Sequence, residues 1–211
     1  LDGGVPKTYS LPDDVRLYYT HTVNAYENAS GVVIDICSLP ENPFASVGLT
    51  VEGFKNKTAR DSSGRGIVRR YFLPSDDDRV LIQNISDTKR ATDFTQINKH
   101  YVGVQHCYYW GVEWFSDTKT YASMALVKYD VCGGEAPKRW AREGWYPSEP
   151  TFVPAPGGES EDDGVLVFVA LVGARGDSEL VTVNATTMGA LSRGAVPRIG
   201  FTTHGQFYEA A

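Results

Sequence analysis

No run in this 211-residue chain approaches the roughly 18 consecutive apolar residues that a membrane-spanning helix needs. The longest apolar stretch, Val165 to Val172, is short and rich in β-branched residues, which suits a buried strand. Positive charge is in deficit. Twenty Lys and Arg against 26 Asp and Glu give a net charge of -6, so nothing resembles the basic footprint of a nucleic-acid binder. Cysteine is scarce, and Cys37, Cys107 and Cys132 are odd in number and lack metal-ligand spacing, which predicts free thiols in a reducing compartment rather than a disulfide framework. The four histidines form no HExxH or other local metal signature. Leu1-Asp2-Gly3-Gly4 has neither the basic start nor the apolar centre of a signal peptide, and no initiator Met precedes it, which reads as a mature product or a fragment. These absences predict an intracellular protein, cytoplasmic or organellar. Four acceptor patterns for N-glycosylation, at Asn28, Asn56, Asn84 and Asn184, pull the other way towards a secreted, glycosylated β-sandwich. Asn next to Ser or Thr is also ordinary turn chemistry, and that reading is preferred.

Sustained 3.6-residue apolar periodicity with caps is missing too. A hydrophobic fraction of 42% and an aromatic fraction of 12% nevertheless describe a packed globular chain, long enough for one domain or a large part of one. Segments rich in Val, Ile, Tyr, Phe and Thr predict strands over 31–37, 45–54, 67–73, 80–85, 107–115, 123–129, 151–153, 164–173, 180–184 and 198–203. Gly-, Asp- and Pro-rich turn signals separate them, for example Pro74-Ser-Asp-Asp-Asp and Pro154-Ala-Pro-Gly-Gly. The polar clusters 55–65 and 157–163 read as solvated turns. The fold class is therefore all-β, as a sandwich, barrel or propeller. No repeat signature of the common propeller families selects among them.

Several strings carry more information than this. They are His21-Thr22-Val23-Asn24-Ala25-Tyr26-Glu27, Asp93-Phe94-Thr95-Gln96-Ile97-Asn98, Tyr146-Pro147-Ser148-Glu149-Pro150-Thr151-Phe152-Val153, Glu161-Asp162-Asp163-Gly164-Val165-Leu166 and Thr203-His204-Gly205-Gln206-Phe207. In this order they resemble the C-terminal part of the carotenoid cleavage oxygenases. The resemblance implies a seven-bladed β-propeller with loops over one face, of which residues 1–211 would supply about three blades, the N-terminal part being absent from this chain. It implies non-haem Fe(II) held by four histidines, of which His21 and His204 would be two. Asp93 and Glu149 would be the outer carboxylates that orient them, and Phe94 would face the substrate. The partners implied are a carotenoid or apocarotenoid and O2, with a peripheral membrane contact allowed and a plastid among the candidate organelles.

Read without the resemblance, each of these residues has a plainer meaning. Either His could be a satisfied core or surface residue, Asp93 a strand-edge acid, Glu149 a Pro-flanked turn acid and Phe94 a core aromatic. His100 and His106 match no ligand position and are expected to be structural or exposed. The chain also departs from the family pattern: Asp93 stands where Glu is usual, Thr22 where animal members often carry a second His, Thr95 where Pro is frequent and Thr203 where Phe is frequent. Stilbene cleavage and retinyl-ester isomerisation are the alternatives within the family. A non-catalytic propeller interaction module is the alternative outside it.

Overall fold

The structure, a computed structural model, describes residues 5–43 and 50–208. Its strands fall into three antiparallel sheets, each built by consecutive hairpins. The first sheet runs β1 (Tyr18–Asn28), β2 (Gly31–Leu39), β3 (Ile67–Pro74) and β4 (Leu81–Asn84). The second runs β5 (Ala91–Gln96), β6 (Tyr108–Trp114), β7 (Ala125–Asp130) and β8 (Lys138–Trp140). In the third, β10 (Thr151–Pro154), β11 (Gly164–Val172), β12 (Asp177–Asn184) and β13 (Ala190–Val196) follow in order. There β9 (Trp145–Pro147) pairs further along β11, so β9 and β10 form one first strand interrupted at residues 148–150. Each sheet is a propeller blade, and together they make a three-blade arc.

The blades are joined by burial between their faces. Val23, Cys37 and Val68 of the first blade pack on Tyr109, Val127 and Tyr129 of the second. Trp110, Val112 and Leu126 of the second pack on Phe152, Leu166, Phe168 and Val181 of the third. Trp110 stacks on Phe152 with ring centroids 4.6 Å apart, and its indole N–H donates to the Ala185 carbonyl at 3.0 Å. Burying an aromatic of this size removes enough apolar surface to stabilise by about 2–3 kcal/mol. Alternation supplies these faces: along β11 every second residue is buried. Gly31, at the tight turn between β1 and β2, has φ +151°, and a Cβ there would lie 2.1 Å from the Leu73 carbonyl oxygen. No larger residue fits at that position.

The structure corrects several expectations. Residues 45–49 of the strand expected over 45–54 lie outside the described residues, and the remainder forms α1 (Val51–Lys55), capped by the Thr50 side chain. The cluster 55–65, expected as a turn, contains a second single-turn helix, α2 (Lys57–Asp61), capped by Asn56. Residues 198–203 are not a strand, because they find no ladder partner among the described residues. The acidic segment 157–163 is not simply solvated. The Glu161 carboxylate is buried and accepts the backbone N–H groups of Cys107 and Tyr108 at 2.8–2.9 Å, while Asp162 pairs with buried Lys128.

The expectation of three free thiols also fails. Cys107 and Cys132 form a disulfide with Cα atoms 5.1 Å apart, and only Cys37 is free and buried. The pairing Tyr108↔Asp130 brings these cysteines together beyond the ends of the β6–β7 ladder, a proximity their spacing conceals. Closing a loop of this size should stabilise by about 3 kcal/mol. Urea unfolding with and without a dithiol reductant should show a midpoint lowered accordingly. An unchanged midpoint would mean that the reduced pair holds the hairpin equally well.

Candidate metal centre and cavity

The site residues come from the first strands of the three blades and from the tail that follows the third. A regular strand would point Thr20 and His21 to opposite faces. Here the β1–β2 register shifts between Tyr19 and Thr22 and again between Thr22 and Asn24, so irregularities bracket His21. The β5–β6 register shifts between Asp93 and Gln96. Within that bulge Phe94 adopts φ +49°, a left-handed conformation rare for a bulky side chain. Bulges of this kind re-aim side chains beside functional sites. Gly111 lies opposite, where a Cβ would sit 3.0 Å from the Asp93 carbonyl oxygen and 3.2 Å from the methyl groups of Thr92 and Thr95. The second-blade bulge therefore needs glycine across from it.

The irregular strands converge. His21 Nδ1 lies 2.7 Å from Asp93 Oδ1. The Asp93 Oδ2 atom accepts from the Thr20 hydroxyl at 2.7 Å, and Oδ1 also accepts the Phe94 N–H at 2.9 Å. Burial pushes the Asp93 carboxyl up, but hydrogen bonds from His21 and Thr20 outweigh it and hold the group below the usual carboxylate range. The hydrogen bond to Asp93 raises the His21 pKa, against burial, which lowers it. An ionised Asp93 only accepts, so Nδ1 carries the proton of a neutral His21 ring and Nε2 is left with its lone pair.

His204 reaches the same place from the tail. Its Nδ1 lies 3.3 and 3.4 Å from the two oxygens of Glu149, which sits in the gap between β9 and β10. The Gly205 N–H donates to Glu149 Oε2 at 3.0 Å, and the Thr202 N–H donates to the Ser148 hydroxyl at 3.1 Å, so the unpaired tail is pinned on both sides of His204. The His21 and His204 rings meet edge to face with centroids 5.2 Å apart. Phe94 packs against both, at 4.8 and 6.1 Å.

A cavity of about 730 Å³ opens beside His21, Asp93 and Phe94. Its walls include Phe54, Trp114, Phe115, Tyr121, Met124 and Phe201. Burial pushes the Tyr121 phenol up to about 12, so it stays neutral and leaves the wall uncharged. Such a pocket suits an apolar ligand of considerable size.

The two imidazoles are of a kind that would hold a divalent ion. Their type suits Fe, Zn or Cu. Both use Nδ1 towards a carboxylate, the outer hydrogen bond that metal-bound histidines make. Among the described residues, no group of three or more His, Cys, Asp or Glu side chains is arranged to hold a metal, so the pair does not make a complete set.

His100 is exposed and His106 fully buried. His106 Nδ1 faces the Asn24 amide at 3.2 Å and Nε2 lies 3.5 Å from Asp35. No spacing or motif in the chain signals this network, nor Thr20.

The chain belongs to the Retinal pigment epithelial membrane protein family, whose model matches residues 7–209. The carotenoid oxygenase resemblance is thereby established. A carotenoid dioxygenase of Neurospora crassa is 37% identical over 209 residues, covering 85% of this chain and 34% of that protein. A carotenoid isomerooxygenase of Galleria mellonella is 30% identical over 169 residues, covering 76% and 31%. A mutant of the Synechocystis apocarotenoid oxygenase has the same fold, with a TM-score of 0.78 at 23% identity, covering 93% of this chain and 40% of that one. A cobalt-substituted form of that oxygenase matches with a TM-score of 0.72 at 24% identity, covering 86% and 37%. The chain thus spans about a third of the length of each of these two curated relatives.

Proposed function

We propose that this chain is the C-terminal part of a propeller enzyme that uses Fe(II) and O2 to cleave a conjugated double bond of a carotenoid or apocarotenoid, giving two carbonyl products. The observation that carries the reading is the meeting of two carboxylate-tethered imidazoles, one of which, His21, lines a large apolar cavity. His21 and His204 are two ligands, and the remaining ligands and blades lie in the rest of the protein. Asp93 and Glu149 fix the tautomer and direction of the two rings. Bound Fe(II) supplies a redox-active Lewis acid with positions open to O2. The aromatic walls hold a polyene by burial rather than by polar contacts, so the bond presented to the centre is chosen by depth of insertion. Phe94, wedged between the two imidazoles and the cavity, keeps water from the reacting carbons and offers a π face to positive character developing there. A lipophilic substrate fits an intracellular enzyme that collects it by peripheral membrane contact.

The test uses the full-length protein. Iron near one per chain, and O2-dependent loss of polyene absorbance, are expected. A preparation that takes up no iron when supplied with Fe(II) and bleaches no carotenoid would sink the enzyme reading and favour a non-catalytic propeller module. These 211 residues alone, with two ligands, should bind iron weakly and show no turnover.

A further inference from the structure

Asp93 is held by more donors than the orientation of one imidazole requires. Oδ1 takes the His21 Nδ1–H and the Phe94 N–H, while Oδ2 takes the Thr20 hydroxyl at 2.7 Å. Thr20 and His21 are consecutive residues of β1, yet both reach one carboxylate. This happens only because the register shifts between Tyr19 and Thr22, so the irregularity serves the hydroxyl as well as the imidazole. The terminal torsion of an Asp side chain is soft and roughly two-fold. A carboxylate anchored through one oxygen can turn about that torsion, whereas anchoring the second oxygen fixes its plane. Asp has one methylene fewer than the Glu usual at this position, so its reach leaves little room for such turning.

We propose that Thr20 is a positioning residue for the metal centre: its hydroxyl locks the Asp93 carboxylate plane, so that a short acid aims the His21 imidazole. The inference rests on the reading of His21 as a ligand. Thr20 also lines the cavity, but its hydroxyl is committed to Asp93, and it acts on the centre through that carboxylate. Val is the β-branched isostere and suits a strand, so Thr20→Val removes the hydroxyl while keeping the shape.

The experiment compares full-length wild type, Thr20→Val, Thr20→Ser and His21→Ala. Two readouts are taken: the rate at which a chelator removes Co(II) from each loaded protein, and the downfield proton signal of the hydrogen-bonded His21 Nδ1–H in the metal-free protein. His21→Ala serves to identify that signal. Thr20→Val should weaken metal retention by about 10-fold, the lower end of what loss of an outer partner does. It should also shift or broaden the proton signal, and Thr20→Ser should restore both. Wild-type retention and an unchanged signal in Thr20→Val, with metal lost in His21→Ala, would overturn the role of Thr20 and leave the ligand reading standing. Full retention in His21→Ala would overturn both.

Discussion

Full-length protein carrying His21→Ala should lose its bound iron and all detectable polyene cleavage, with a thermal midpoint within a few degrees of wild type. Outer-shell changes at metal sites cost about 10–100-fold in affinity, so deleting a ligand should cost more than about 100-fold. The fold should survive, because His21 is only half-buried and Asp93 keeps the Thr20 hydroxyl and the Phe94 N–H as donors. His204→Ala should behave alike, although its ring is the more exposed and its contact with Glu149 the longer. Asp93→Asn should fall between these variants and wild type, since an amide oxygen still accepts from Nδ1 but without charge. Metal analysis and calorimetry on the same samples separate loss of the centre from loss of the fold. Iron retained in both His variants would remove the ligand assignment.

Asp35→Ala should destabilise the protein by about 3–5 kcal/mol, the penalty for breaking a buried ion pair from one side. Asp35 is fully buried on β2 and accepts from Arg70 of β3 at 2.9 and 2.8 Å. The register sets these residues directly opposite each other. His106 approaches from beyond the blade, with Nε2 3.5 Å from the same carboxylate. Burial lowers the His106 pKa, so the ring is neutral near pH 7 and offers one N–H. Its Nδ1 accepts from the Asn24 amide, so Nε2 carries the proton and faces Asp35 without a hydrogen bond to it. Removing the carboxylate strands the half-buried Arg70 guanidinium. Urea unfolding monitored by tryptophan fluorescence measures the loss. A change below about 1 kcal/mol would mean that water enters and solvates Arg70.

The middle strands of the blades were legible because they alternate or run apolar. The strands expected over 31–37, 67–73 and 164–173 agree closely with β2, β3 and β11. The first strands were not, apart from β10, expected over 151–153. β1 reads Tyr-Tyr-Thr-His-Thr-Val-Asn, and its period is broken by the irregularities that aim His21. β5 is short and bulged, and β9 has only three residues. β13 is exposed almost along its whole length, so no hydrophobic pattern marks it. Local rules therefore failed at the strands that carry the site, where backbone irregularity serves chemistry rather than packing. His21 and His204 are 183 positions apart, so only the family strings could pair them in advance. Thr20 and His106 act through groups brought near by folding, and no spacing in the chain foretells that.

In each blade the strands that carry site residues come first in chain order, while β4 and β13 end their sheets largely in solvent. A mutational library could therefore be divided before it is made. Substitutions scattered along the outward-facing residues of β4 and β13 would tune solubility, charge or attachment to a support while leaving catalysis alone. Those along β1, β5 and the β9–β10 break would trade on turnover. For anyone wishing to immobilise the protein or fuse it to a partner, the outer rim is the handle and the first strands are to be left untouched.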